Sequence, residues 1–297
     1  MALVVALVVA AAILAVDRHS TGSAKAVKTT RGSSTTTIPP PSTTTTTMPV
    51  TTTTAVGDAT GVLSSPAVDQ YLSGRQGDIT AAVYDLTTGT SSVWRPGVAE
   101  YTASIVKVDI LATLLYQQQQ AGSSISSNEA ALATTMIEQS DDNAATDLWD
   151  DISQQSGLAA FNSLLSLDST VPGTDGHWGG TMTTASDQVS LLRAIVQPSP
   201  VLDPASRQYE LSLMENVEPS EQWGITSGVA PGVTVAVKNG WLPLESDGDW
   251  QINSIGWVDG DGRNYLVAVL TKNNATEGYG IATIEGLASL IWTGLGT

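Results

Sequence analysis

The chain has 297 residues, of which 41% are apolar and 14% charged, and its formal net charge is −17. That composition builds a packed core rather than a disordered chain. An acidic body repels phosphate backbones and anionic lipid surfaces, which argues against nucleic-acid binding, and with no cysteine the chain has no disulfide, thiolate metal site or thiol nucleophile.

Residues 2–16 (ALVVALVVAAAILAV) are continuously apolar. As a helix rising ~1.5 Å per residue they reach about 22 Å, short of a ~30 Å hydrocarbon core, which suits the apolar region of an export signal. No Lys or Arg precedes this run and no clear small-x-small cleavage site follows it, so a removed signal and a retained anchor both stay open, as does an upstream start. The first 31 residues hold one acid (Asp17) and four bases (Arg18, Lys25, Lys28, Arg31), which leaves −20 on the remainder. Residues 29–54 are dominated by Thr, with Pro39, Pro40, Pro41 and Pro49. Such a stretch buries too little apolar surface to offset its ordering entropy and reads as an extracytoplasmic stalk. The expected division is a signal peptide or N-terminal membrane anchor over 1–28, a disordered Thr/Pro-rich linker over 29–60, and one folded domain over 61–297.

In the folded part, 62–74 suits a helix. Residues 79–86 and 91–95 suit a hairpin turning at Thr87-Thr88-Gly89-Thr90. A helical block follows over about 103–217. Its first helix covers 103–120. The second starts at a capping box, Ser126-x-x-Glu129, and runs to about 138. The third covers 142–155 and stops at Gly157, and another starts at Thr184 and runs to about 196. Strands return at 233–238, 250–258 and 264–271, and a helix over about 280–293 closes the chain. This order gives a mixed α+β domain. The early hairpin and the late strands form one antiparallel sheet, with the terminal helices on one face and the inserted helices on the other.

The helix over 103–120 is apolar on nearly every side and is therefore buried. A lysine inside it, Lys107, is costly unless paired or functional. Lys107 follows Ser104 by three residues, so the two side chains share one face, and Ser104 sits at the helix N-terminus, where amides and dipole favour negative charge. A desolvated lysine can take a serine's proton. Taken alone, Ser-x-x-Lys also fits a capping serine with a snorkelling lysine. Lys238-Asn239-Gly240 ends a strand and offers a positive charge to a substrate carboxylate, with Gly240 allowing close backbone approach; Asn-Gly equally signals a turn. Ser140-Asp141-Asp142-Asn143 lies between two helices. Its serine suits a proton relay and its amide or carboxylate a substrate contact, while the same residues suit a helix cap.

Together and in this order the three motifs resemble those of the penicillin-recognising serine hydrolases, specifically class A β-lactamase-like proteins, over about residues 62–293. The resemblance implies a β-lactamase/transpeptidase-like fold, with the site in a cleft between an α/β part and an inserted all-helical part. It implies Ser104 as the acylated nucleophile, Lys107 as its base partner and Ser140 as proton relay. Asp142 or Asn143 would contact a substrate amide, and Lys238, Asn239 and Gly240 would wall the carboxylate side. The oxyanion hole would be backbone amides, one of them from Ser104. The activity implied is β-lactam hydrolysis or acylation through a covalent acyl-enzyme, as in an antibiotic response. The alternative is a catalytically idle domain that binds a peptidoglycan peptide or a partner.

Three departures bear on that reading. Class A β-lactamases resolve the acyl-enzyme with a glutamate on a loop between the second and third motifs, and residues 143–209 contain none. Asp175 and His177 are the substitute bases this loop offers. The middle motif carries an additional Asp, and Lys238-Asn239-Gly240 has Asn where a hydroxyl residue is usual. No cofactor is expected. The two histidines, His19 and His177, and the scattered carboxylates lack metal-ligand spacing. The expected partner is a small-molecule or peptide substrate, and the domain is taken as monomeric and extracytoplasmic, secreted or tethered through its apolar leader.

Overall fold

The computed structural model describes residues 61–244 and 249–296; the expectations for the leader and the linker lie outside these residues. In chain order the helices are α1 (Pro66–Ser73), α2 (Val106–Gln120), α3 (Ser127–Glu138), α4 (Asp142–Asp151), α5 (Gln154–Leu164), α6 (Ala185–Val196), α7 (Pro204–Glu215) and α8 (Glu277–Gly294). The strands are β1 (Asp78–Asp85), β2 (Thr90–Trp94), β3 (Ala99–Tyr101), β4 (Met182–Thr184), β5 (Thr234–Pro243), β6 (Trp250–Gly260) and β7 (Arg263–Asn274). Local chemistry sets most boundaries. Six helices open on a Ser, Asp or Thr whose side chain accepts an early backbone N–H: Ser65, Ser126, Asp141, Thr184, Asp203 and Thr276. The Ser126–Glu129 capping box is present in both directions.

The main sheet is antiparallel in the order β2-β1-β7-β6-β5, so the early hairpin joins the late strands. Each sheet face has its own apolar core. One side packs Val68, Leu72, Ile284, Leu287 and Ile291 of α1 and α8 against Val83, Val267 and Val269. The other packs Leu111, Leu148, Phe161, Leu191 and Leu192 of the inserted helices against Ala82, Ile255, Leu266 and Ala268. No helix among the described residues is long and apolar enough to cross a membrane. One antiparallel sheet with the terminal helices on one face and the inserted helices on the other is the arrangement that the order of elements implies.

Two local expectations are corrected. The helix expected over 142–155 is two helices, α4 and α5, broken at Ser153, whose φ is +69°. Gly157 does not stop it; it lies inside α5, where a Cβ would collide with the carbonyl of Ile152. Lys238 is not at a strand end, because β5 continues to Pro243, and Asn239-Gly240 pairs with Ser254 and Asn253 instead of turning. A buried backbone partner in β6 overrides the local turn preference.

Candidate active site

Ser104 sits in a 3₁₀ turn, Ala103–Ile105, that runs directly into α2. Ala103 holds φ at +46°, a strained value for a residue with a side chain. The surroundings over-determine the turn. The amide of Asn253, on β6, donates to the carbonyls of Tyr101 and Thr102 at 2.8 and 2.9 Å, and Thr102 N donates to Thr181 O at 2.8 Å. On the far side, β5 presses its backbone against the same turn: a Cβ on Gly240 would lie 2.7 Å from Ser104 N and 2.8 Å from Ile105 N. Gly240 is therefore fixed by the close approach of the Thr102–Ile105 backbone, where the sequence had suggested room for a substrate backbone. Because β5 is an edge strand, alternate N–H and C=O groups along it are free to face a ligand beside Ser104.

Lys107 is fully buried one turn on, in α2. Its ammonium donates to Ser140 O at 2.6 Å, Ser140 Oγ at 3.3 Å and Asp142 Oδ1 at 2.7 Å, and none of these bonds reaches Ser104. Lys238, also buried, donates to Ser140 Oγ at 2.9 Å and to Asn239 O at 3.0 Å. One hydroxyl thus links the two lysines. Ser140 has φ +55°, a second strained residue at the site, and Asp141 after it caps α4. Burial, with the neighbouring charge of Lys107, lowers the pKa of Lys238 to about 7, against the opposing pull of Glu221 and Asp142. Burial also lowers the pKa of Lys107, but the hydrogen bond and charge of Asp142 oppose it. Glu221 is buried behind the lysines with a raised pKa, chiefly through desolvation.

Ser104 and Asp142 open onto a cavity of about 500 Å³ whose lining also includes His177, Trp178, Tyr101 and Trp241. The loop after α5 forms one wall. It is closed by paired backbone bonds between Val171 and Met182 and by Thr181 Oγ1, which takes the N–H of Gly173 and donates to Trp178 O. The indole of Trp178 donates to Thr146 Oγ1 at 3.2 Å, and its ring centroid lies 4.9 Å from Lys107 Nζ. An aromatic face therefore covers the ammonium from the loop side.

Of the residues expected at a site, Ser104, Lys107, Ser140, Asp142, Lys238 and Gly240 are brought together, and His177 lines the same cavity. Asn143 is exposed and away from the cavity lining, so Asp142 is the residue of the middle motif that faces it. Asp175 is exposed and outside the lining. The amide of Asn239 points elsewhere: it donates to the carbonyls of Glu221 and Trp223, pinning that segment to β5. Sequence reasoning did not single out Asn253, Glu221 or Tyr101. Asn253 and Glu221 are brought in only by strand pairing and packing; Tyr101, three residues before Ser104, lay next to the first motif but carried no chemical signal of its own.

A model of the beta-lactamase enzyme family matches residues 124–295, a stretch that begins after Ser104 and Lys107 and includes Ser140 and Lys238. Proteins named LppW, each a candidate lipoprotein, from Mycobacterium tuberculosis and Mycobacterium bovis are 27% identical over 192 residues, 62% of this chain and 59% of theirs. The match thus spans about 59% of the length of these curated relatives. Among solved structures, TLA-1 extended-spectrum beta-lactamase superposes with a TM-score of 0.71 at 16% identity, over 77% of this chain and 96% of its own. A class A beta-lactamase from Bacteroides cellulosilyticus gives 0.68 at 15% identity over 77% and 95%. The protein titled PBP-A gives 0.66 at 19% identity over 75% and 92%.

Proposed function

The chain belongs to the beta-lactamase enzyme family, and from that premise we propose that it is a serine acyl-transfer enzyme whose acyl-enzyme on Ser104 is long-lived. The observation that carries this reading is the Lys107–Ser140–Lys238 relay placed one helical turn from a serine in a strained, pinned turn. With Lys238 titrating near neutrality, a proton passes from Lys107 to the Ser140 hydroxyl as that hydroxyl gives its own proton to neutral Lys238. Lys107, now neutral, accepts the proton of Ser104 as Oγ attacks the substrate carbonyl. The developing oxyanion meets backbone amides, Ser104 N–H among them. The leaving group then takes a proton from Ser140, which Lys238 replenishes.

Deacylation needs a base for water. Trp178, not a carboxylate, covers the loop side of Lys107, and Asp142 is already engaged with Lys107. His177 lines the cavity, but no hydrogen bond among the described residues joins its ring to Ser104, Lys107 or Ser140; with no base held in place, water is activated slowly and the acyl group persists. The name of the mycobacterial relatives and the apolar run at 2–16 support an extracytoplasmic domain held at the membrane surface.

The test is intact mass after incubating the full chain with a fluorescent penicillin and, in parallel, a 4-nitrophenyl acyl ester, with Ser104→Ala as control. A lasting adduct present in the parent and absent from the variant is expected. No Ser104-dependent adduct or turnover with either donor would overturn the reading.

A further inference from the structure

Three cross-strand neighbours form an apolar row that leads out of the cavity. Met182 on β4 pairs with Tyr101 on β3, and on its other side Met182 exchanges both backbone hydrogen bonds with Val171, at 2.8 and 2.9 Å. Residues directly opposite across antiparallel strands carry their side chains on one face, so Tyr101, Met182 and Val171 stand side by side. Their chain neighbours Glu100, Thr170, Thr181 and Thr183 are buried on the other face. The row faces solvent. Val171 is 60% and Tyr101 38% exposed, and among the described residues Leu164 is the one other large apolar or aromatic side chain so exposed. Isolated apolar side chains on a surface are ordinary; two of three set in one row through a half-buried Met182 are not isolated.

Tyr101 also lines the cavity beside Ser104, so the row continues the cavity outward. Two strand spacings make it about 10 Å long, and paired backbones hold it in place before any ligand arrives. A row one side chain wide falls far short of the ~800 Å² per partner of a stable protein interface, and the acidic body disfavours an anionic membrane surface. Its dimensions suit a single extended hydrocarbon chain on a molecule whose reacting end sits in the cavity.

We propose that this row extends the acyl-donor site, and that the substrate class is an acyl donor with a long alkyl tail that passes Tyr101 and lies over Met182 and Val171. The proposal rests on the acyl-transfer reading for its catalytic meaning, but the chain site can be measured apart from it.

The experiment has a binding arm and an acylation arm, both on the full chain. In the first, 11-(dansylamino)undecanoic acid is titrated below its micelle concentration and followed by dansyl emission. The parent should bind it, and Val171→Asp should weaken binding about tenfold. In the second, 4-nitrophenyl decanoate and 4-nitrophenyl butanoate are compared as donors to Ser104. Val171→Asp should slow the decanoyl ester by a similar factor and leave the butanoyl ester at the parent's rate. Absence of probe binding to the parent, or binding that Val171→Asp leaves unchanged, overturns the chain site whether or not either ester reacts. Equal slowing of both esters overturns it as well, because a structural defect would slow both. A parent that binds no probe but elutes as a dimer that Val171→Asp dissolves assigns the row to a second copy of the chain instead. Probe binding lost in the variant, with no acylation by either ester, upholds the chain site and removes the acyl-transfer reading. The parent's own binding keeps the proposal open to refutation if the variant fails to fold.

Discussion

Lys107 Nζ lies 2.7 Å from Asp142 Oδ1 and directs its other two hydrogen bonds to Ser140, so the lysine one turn from Ser104 rests with its proton held elsewhere. In the proposed acyl transfer, Asp142 holds that proton on Lys107, and the lysine acts as a base only once the charge moves to Lys238.

It follows that Asp142→Asn alters the pH profile of acylation in a definite direction. Asp142 raises the pKa of Lys107 against the dominant desolvation. Without it the neutral lysine persists to lower pH, and the acidic limb of the acylation rate should move to lower pH. Stopped-flow acylation by an uncharged ester between pH 5 and 9 measures this, and a limb that stays in place or moves up would refute it.

Gly240→Ala tests the approach of β5 to the nucleophile turn. Its Cβ would lie 2.7 Å from Ser104 N and 3.0 Å from Thr102 O, contacts that backbone must yield to. Displacing the reacting serine by a fraction of an ångström to an ångström should slow acylation about 100-fold. Circular dichroism should remain that of the parent; parental acylation would show that the turn tolerates the shift.

Asn253→Ala removes the amide that holds Tyr101 O and Thr102 O and the carbonyl that faces Thr271 N. Two buried backbone groups and one part-buried carbonyl lose this partner, so the expected loss is about 3 kcal/mol, read as a lower urea midpoint with an unchanged m-value. A loss below about 1 kcal/mol would mean that water or a neighbour replaces the amide.

Asp109 and Glu210 give the inserted helices a pH dependence unrelated to catalysis. Both are buried; Asn162 beside Asp109 partly favours its charged form, and neither carboxyl oxygen of Glu210 has a hydrogen-bond partner among the described residues. Desolvation raises the pKa of Asp109 to about 7 and that of Glu210 well above its ordinary value, with the charge of Asp109 adding to the latter. The folded state therefore holds protons that the unfolded state releases near pH 4. The stability this gives is full below that pH and is lost as pH rises through about 7. Asp109→Asn should flatten the decline of Tm from pH 5 to 8 and stabilise the protein at pH 8 by up to about 4 kcal/mol. A variant with the parent's pH slope would show that Asp109 does not carry the effect.

The sequence by itself determined the order of elements, most helix starts and the three motifs. These are local matters: a Ser or Thr three residues before the amide it caps, apolar spacing, and a lysine that an all-apolar helix does not otherwise accommodate. Ser104, Lys107, Ser140, Lys238 and Gly240 were legible for that reason. Asn239-Gly240 misled because the dipeptide signals a turn, and only pairing with β6 holds it extended. Gly157 misled because glycine as a helix stop and glycine as room for a crossing carbonyl look the same in one dimension. Tertiary structure alone decided that Asp142 rather than Asn143 faces the cavity, that the Asn239 amide turns away, that Trp178 covers Lys107, and that Asn253 pins the nucleophile turn. Each depends on which way a side chain points once distant segments pack, and the spacing of residues along a chain does not fix that direction.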